Sequence, residues 1–209
     1  MNTVLDRDQS VVLHNISWNS YKQISDTLQD ETSAHFTFDR GQLEIMVLSL
    51  KHEYLKKILA MLFERLAENL DVEIFAAGST TFRREDIARG FEPDECYYVE
   101  NAQGMRGKET VNLDFDPPPD LTIEIDVKNS SLDRMGIFAA MGIPEVWRYD
   151  GEKLEMHLLR NDTYQISEVS GVFAGVAPGD LIDILKMGQN SPRKEFLARI
   201  DAYTASLKK

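Results

Sequence analysis

The segment PPPDLTIEIDVKNSS, residues 117–131, gathers the side chains best suited to chemistry. Its alternation predicts a β-strand with Leu121, Ile123, Ile125 and Val127 on one face. Asp120, Thr122, Glu124, Asp126 and Lys128 then share the other. Glu124 and Asp126 stand about 7 Å apart along such a strand, close enough for mutual repulsion to make ionising both costly without a cation. A divalent ion relieves that cost. Hard ions such as Mg²⁺ or Mn²⁺ take one or two carboxylates together with waters and phosphate oxygens, which suits phosphodiester hydrolysis, and Lys128 would offset developing negative charge. The same alternation also fits a half-buried strand whose polar face is merely wet. Pro93-Asp94, thirty residues before Glu124, starts the preceding predicted strand and places a third carboxylate where two strands converge.

Several elements must position these groups. Trp18, Tyr21, Ile24 and Leu28 recur at helical spacing, predicting a short N-terminal helix. AHFTFD and GQLEIMVL flank Arg40-Gly41 and read as a hairpin. Ser49 offers an N-cap to a helix of about 20 residues carrying Leu55, Ile58, Leu59, Leu62, Leu66 and Leu70 on one face. VEIFAA reads as a strand, RREDIARG as a loop, Asp94 to Glu100 as a second strand and LTIEIDVK as a third. Ser130 or Ser131 can cap a helix ending at Gly142, followed by the strand EVWRYD. A hairpin turning at Asn161-Asp162 and a helix from Pro192 to Leu207 complete the chain. The expectation is an α/β (α+β) fold: an αβββαβ core around a mixed central sheet, with an N-terminal helix and hairpin and a C-terminal hairpin and helix. Residues 1–209 are expected to form one domain, with a core at about 34–150 and an extension at 151–209.

Composition narrows the function. The chain has 209 residues, 43% hydrophobic and 28% charged, as expected of a globular protein. Its longest apolar run, Ile58 to Phe63, is far shorter than the roughly 20 residues of a membrane span. A cytoplasmic location is expected, because the N-terminus does not read as a secretory signal and the single cysteine, Cys96, suits a reducing compartment. His14, His35, His52 and His157 lack zinc-site spacing. A net charge of −12 argues against coating nucleic acid by bulk electrostatics, so any DNA contact must be local.

Pro93-Asp94 followed by Glu124-Ile-Asp126-Val-Lys128 on this element order resembles the PD-(D/E)XK nuclease core. GQLEIM, His52, STTFRREDIARGFEPDECYY, PPPDLTIEID, SSLDR and GIPEVWRYD together resemble the domain-of-unknown-function 820 (Uma-two) family of restriction-endonuclease-like proteins, over about Ser17 to Asp183. The resemblance implies that Asp94 and Glu124 are metal ligands and that Glu44, in the hairpin before the long helix, completes the set. It also implies a lysine two residues after the second acid, where this chain has Asp126. Either Asp126-Val-Lys128 is itself the acid-x-lysine element, or the following helix supplies the charge, with Arg134 the candidate. Arginine stays protonated, so Arg134 would hold phosphate rather than act as a base. His52 reads as either a site contact or a helix-start histidine. Tyr97 and Tyr98, adjacent on a strand, cannot both face a nucleic acid.

The expected activity is Mg²⁺- or Mn²⁺-dependent hydrolysis of DNA phosphodiester bonds. Cleavage of both strands favours a homodimer, for which Lys153 to Val169 offers an edge. A catalytically inactive nuclease-fold module that binds DNA or protein is the alternative. A glycosidase ranks last, because two acids on one strand cannot flank a bond from opposite sides.

Overall fold

A computed structural model of the chain describes residues 7–28, 31–126 and 132–208. Two sheets face each other across the polar side of the strand around Glu124. The chain enters through β1 (Gln9–Leu13), α1 (Trp18–Leu28) and the hairpin β2 (His35–Asp39) and β3 (Gln42–Val47). Arg40 and Gly41 both take left-handed backbone conformations, with φ of 45° and 94°, as a two-residue turn requires. The long helix α2 (Leu50–Leu70) starts at Ser49, whose hydroxyl accepts from the His52 N–H at 3.2 Å, and ends at a left-handed Asp71.

Beyond α2, the chain differs from its sequence pattern. VEIFAA contributes only the two-residue β4 (Phe75–Ala76), and the expected loop RREDIARG is the turn of a short hairpin, β5 (Phe82–Arg84) and β6 (Arg89–Phe91). β6 pairs with β2, so the five-stranded sheet runs β1-β3-β2-β6-β5. Three-residue strands are too short to show periodicity, and only pairing with β2 reveals them.

The central elements follow as β7 (Glu95–Tyr98), the single turn α3 (Ala102–Met105), β8 (Leu121–Ile125), α4 (Arg134–Met141) and β9 (Glu145–Tyr149). Asp133 caps α4, its carboxylate accepting from the Gly136 N–H at 3.0 Å; Ser130 and Ser131, the expected caps, lie outside the described residues. Gly142 ends α4 in the left-handed conformation, as expected. The hairpin β10 (Leu154–Arg160) and β11 (Thr163–Ser167), the unexpected α5 (Pro178–Asn190) and α6 (Arg193–Leu207) complete the chain. The six-stranded sheet runs β11-β10-β9-β8-β7-β4, with β8 and β9 parallel and its other neighbours antiparallel. This is the expected mixed α/β architecture.

One face of that sheet, through Tyr97, Leu121, Ile123, Ile125, Trp147 and Tyr149, packs against α2, α5 and α6. The other face is also covered: Cys96 and Val146 lie under Ile137, Phe138 and Met141 of α4 and under Phe82 and Phe91. The acidic face of β8 is therefore buried, not wet, and every residue of Leu121–Ile125 is buried. Tyr97 stacks on Phe63 with centroids 4.2 Å apart, while Tyr98 donates to the Pro117 carbonyl on the opposite face. Neither is available to a base. The first acid of GIPEVWRYD is structural: Glu145 accepts from Trp147 Nε1, Ser170 Oγ and the Gly171 and Val172 N–H groups.

The five-stranded sheet has its own core, where Tyr21 of α1 stacks on Phe38 at 4.7 Å. A methyl group on Gly90 would lie 2.2 Å from the Tyr21 hydroxyl and 2.8 Å from its ring. Because Tyr21 is fully buried it has nowhere to retreat. Gly90→Ala should therefore destabilise the protein by about 3 kcal/mol, read as a lower urea midpoint; an unchanged midpoint would show that α1 moves freely on this sheet.

Candidate active site

Register builds the site before any side-chain contact does. Glu95 pairs with Ile123 in the antiparallel β7–β8 ladder, so extension by one residue sets Asp94 opposite Glu124. In the parallel β8–β9 ladder Glu124 pairs with Arg148. Asp94, Glu124 and Arg148 thus form a row across neighbouring strands, spaced by roughly 4.8 Å per strand and facing the second sheet. They line a cavity of about 250 Å³ together with Met46, His52, Asp126 and Arg134.

Asp94 is held from three sides. Its Oδ2 accepts from the Ile125 N–H at 2.7 Å and lies 3.0 Å from His52 Nε2, an ion-pair contact with no well-aligned hydrogen bond. His35 Nδ1 stands 3.9 Å from the other oxygen. On its far side His52 Nδ1 is 2.9 Å from Asp8 Oδ2, and Asp8 Oδ1 accepts from the Ser49 N–H at the start of α2. The result is a buried Asp8–His52–Asp94 chain. Burial lowers the pKa of His52, but the two flanking carboxylates outweigh it and push the imidazole up to about 9. Burial raises Asp94, yet the His52 contact and the Arg134 charge hold its carboxyl below the ordinary range.

Glu124 behaves oppositely. Burial pushes its carboxyl up, and Arg134 only partly compensates. The Arg134 guanidinium lies 2.7 Å from Glu124 Oε2, donates to the Glu92 carbonyl at 3.0 Å and sits over the Phe138 ring. Glu124 Oε1 is buried without a hydrogen-bond partner among the described residues. Glu44, in the middle of β3, is buried, and its charge acts on Arg134 together with those of Glu124 and Asp94. Asp126 lines the same cavity but pairs with Arg148.

The structure therefore brings Asp94, Glu124, Asp126 and Arg134 to one cavity and sets Glu44 near enough for its charge to act on Arg134. Lys128 lies outside the described residues. Arg134 pairs with Glu124 and the Glu92 carbonyl rather than with its neighbour Asp133. Asp8 and Arg148 were not legible in the sequence. Asp8 lies 44 residues from His52 in a segment with no motif. Arg148 stands in EVWRYD as one polar residue of an alternating strand, and its alignment with Glu124 exists only through the parallel pairing.

A cation fits this donor set in kind: hard carboxylate oxygens, one of them, Glu124 Oε1, orphaned and buried. Among the described residues, however, no group of three or more His, Cys, Asp or Glu donors converges with metal-site geometry. Arg134 supplies positive charge to Glu124 in the arrangement observed.

A sequence-family profile described as "Uma2: Putative restriction endonuclease" matches residues 18–184. No curated protein matches the chain. Among solved structures, the fold is similar to that of a protein described as "a putative nuclease belonging to DUF820 from Anabaena variabilis ATCC 29413". That likeness has a TM-score of 0.52 at 12% identity, covering 88% of this chain and 99% of the other.

Proposed function

Because the chain belongs to the Uma2 family of restriction-endonuclease-like proteins, we propose that it is a metal-dependent endonuclease hydrolysing DNA phosphodiester bonds at the Asp94–Glu124 pair. One observation carries this reading: two carboxylates from adjoining strands stand side by side at one cavity, one with a buried oxygen that has no hydrogen-bond partner among the described residues. Asp94 and Glu124, assisted by Glu44, would hold Mg²⁺ or Mn²⁺. Such an ion, when bound, lowers the pKa of a coordinated water and polarises a phosphoryl oxygen. The remaining roles belong to the chain. The Ile125 N–H and His52 fix the orientation of Asp94, so its carboxylate need not reorganise during the reaction. Arg134 is a permanent cation that balances the buried acids and lies within reach of a phosphate entering the cavity. Phe138 and Met46 exclude bulk water from one wall.

Cutting both strands of a duplex would require two such sites, and we place the contact of a homodimer at β11, the sheet edge where Ile166 is 68% exposed. No helix of the described residues is long and apolar enough to cross a membrane. A cytoplasmic location is proposed on the buried, unpaired Cys96.

The ion pair between Arg134 and Glu124 favours one second reading, an inactive module that keeps the fold to bind DNA or protein. Incubation of supercoiled plasmid and single-stranded DNA with the protein in Mg²⁺ or Mn²⁺, beside Glu124→Gln, separates the two. Metal-dependent nicking that falls at least about a thousandfold in Glu124→Gln is expected. DNA binding without cleavage under both metals would favour the inactive module.

A further inference from the structure

Arg134 and Arg148 line the same cavity but are committed differently. Arg134 is pinned to Glu124 and the Glu92 carbonyl, with 15% of its side chain exposed. Arg148 is 32% exposed and makes one charged contact, to Asp126, leaving its other N–H donors without a protein partner among the described residues. Its position is set from both sides. On β10 its register partner is Glu155, but that carboxylate is engaged by Lys153 and lies 3.3 Å from His157. Arg148 pairs instead with Asp126 and lines the cavity. A guanidinium anchored on one edge by a carboxylate, with free donors on the other, has the geometry for bidentate capture of a phosphate.

We propose that Arg148 is the phosphate-binding residue of this site, contacting a non-bridging oxygen of the DNA backbone at the end of the Asp94–Glu124–Arg148 row. Asp126 holds the guanidinium in place and takes no part as a metal ligand. This rests on the nuclease reading for the identity of the phosphate, but not for its binding. Few cations then meet the DNA backbone in an otherwise acidic protein, so non-specific affinity should be weak.

The test uses two probes in EDTA, inorganic phosphate by calorimetry and a short duplex oligonucleotide by fluorescence anisotropy, on wild type, Arg148→Gln, Arg148→Lys and Asp126→Asn. Arg148→Gln should weaken both probes about tenfold and reduce the salt slope of duplex binding by about one. Arg148→Lys should recover part of the affinity, and Asp126→Asn should weaken binding less than Arg148→Gln. Equal phosphate affinity in wild type and Arg148→Gln overturns the assignment, as does no phosphate binding by wild type, whether or not the plasmid is cut. Arg148-dependent phosphate binding in a protein that never cuts keeps the assignment and removes the nuclease reading. Near-native melting temperatures for Arg148→Lys guard against loss of fold.

Discussion

Asp94→Asn loses metal-dependent cleavage by a factor of about a thousand or more, and the pH dependence of its stability changes with it. Asparagine can still accept from the Ile125 N–H, so the β7–β8 junction should survive. It carries no charge for a cation, however, and although the oxygen that keeps the Ile125 N–H also faces His52, the imidazolium loses one of its two flanking negative charges. In the wild type, His52 is raised to about 9 by carboxylates on both sides. Its contribution to stability is therefore complete below the ordinary histidine range and disappears as pH rises through about 9. Removing one carboxylate should move that loss to lower pH. Melting curves in EDTA from pH 6 to 10 measure the shift, and plasmid nicking measures the activity. An Asp94→Asn protein that nicks at the wild-type rate would remove Asp94 from the site.

Arg134→Met should destabilise the protein strongly and in a pH-dependent way. Methionine can occupy the apolar wall beside Phe138, but Glu124 is left buried without its ion-pair partner. Breaking a buried pair on one side costs about 3 kcal/mol. The sign with pH follows from Glu124. Burial already raises its carboxyl, and loss of Arg134 raises it further, so the variant retains a proton over a wider range. A carboxyl raised in the folded state favours folding at low pH and loses that advantage as pH rises. The deficit against wild type should grow from pH 6 to pH 9 in urea titrations without metal. Mn²⁺ should raise the melting temperature of Arg134→Met at least as much as that of wild type, because Glu124 no longer has a competing cation. A variant of wild-type stability at both pH values would show that Arg134 does not balance Glu124.

Local pattern made the main elements legible. Helix α2 shows in its apolar spacing and Ser49 cap, the two hairpins in Arg40-Gly41 and Asn161-Asp162, and β8 in the alternation from Leu121 to Ile125. Each depends on residues within one turn or one strand, where side-chain period and backbone φ decide the conformation. The short strands β1, β5 and β6 escaped because their stability comes from pairing partners far along the chain; β6, for example, pairs with Asp39 through Arg89 across 50 residues. The helix α5 escaped for a related reason, since its buried Leu181, Ile184 and Leu185 gain meaning only against α2 and the sheet.

The sequence by itself determined which carboxylates share a face: Glu124 and Asp126 by strand alternation, and Asp94 by its place at the start of the strand before. Only the tertiary structure decided what neutralises them. The parallel β8–β9 pairing set Arg148 beside Glu124 and led Asp126 to pair with it, the packing of α4 brought Arg134 onto Glu124, and β1 carried Asp8 to His52. Charge balance in a buried site is a sum over everything within a few ångströms, and those distances come from register and packing, which no spacing along the chain contains.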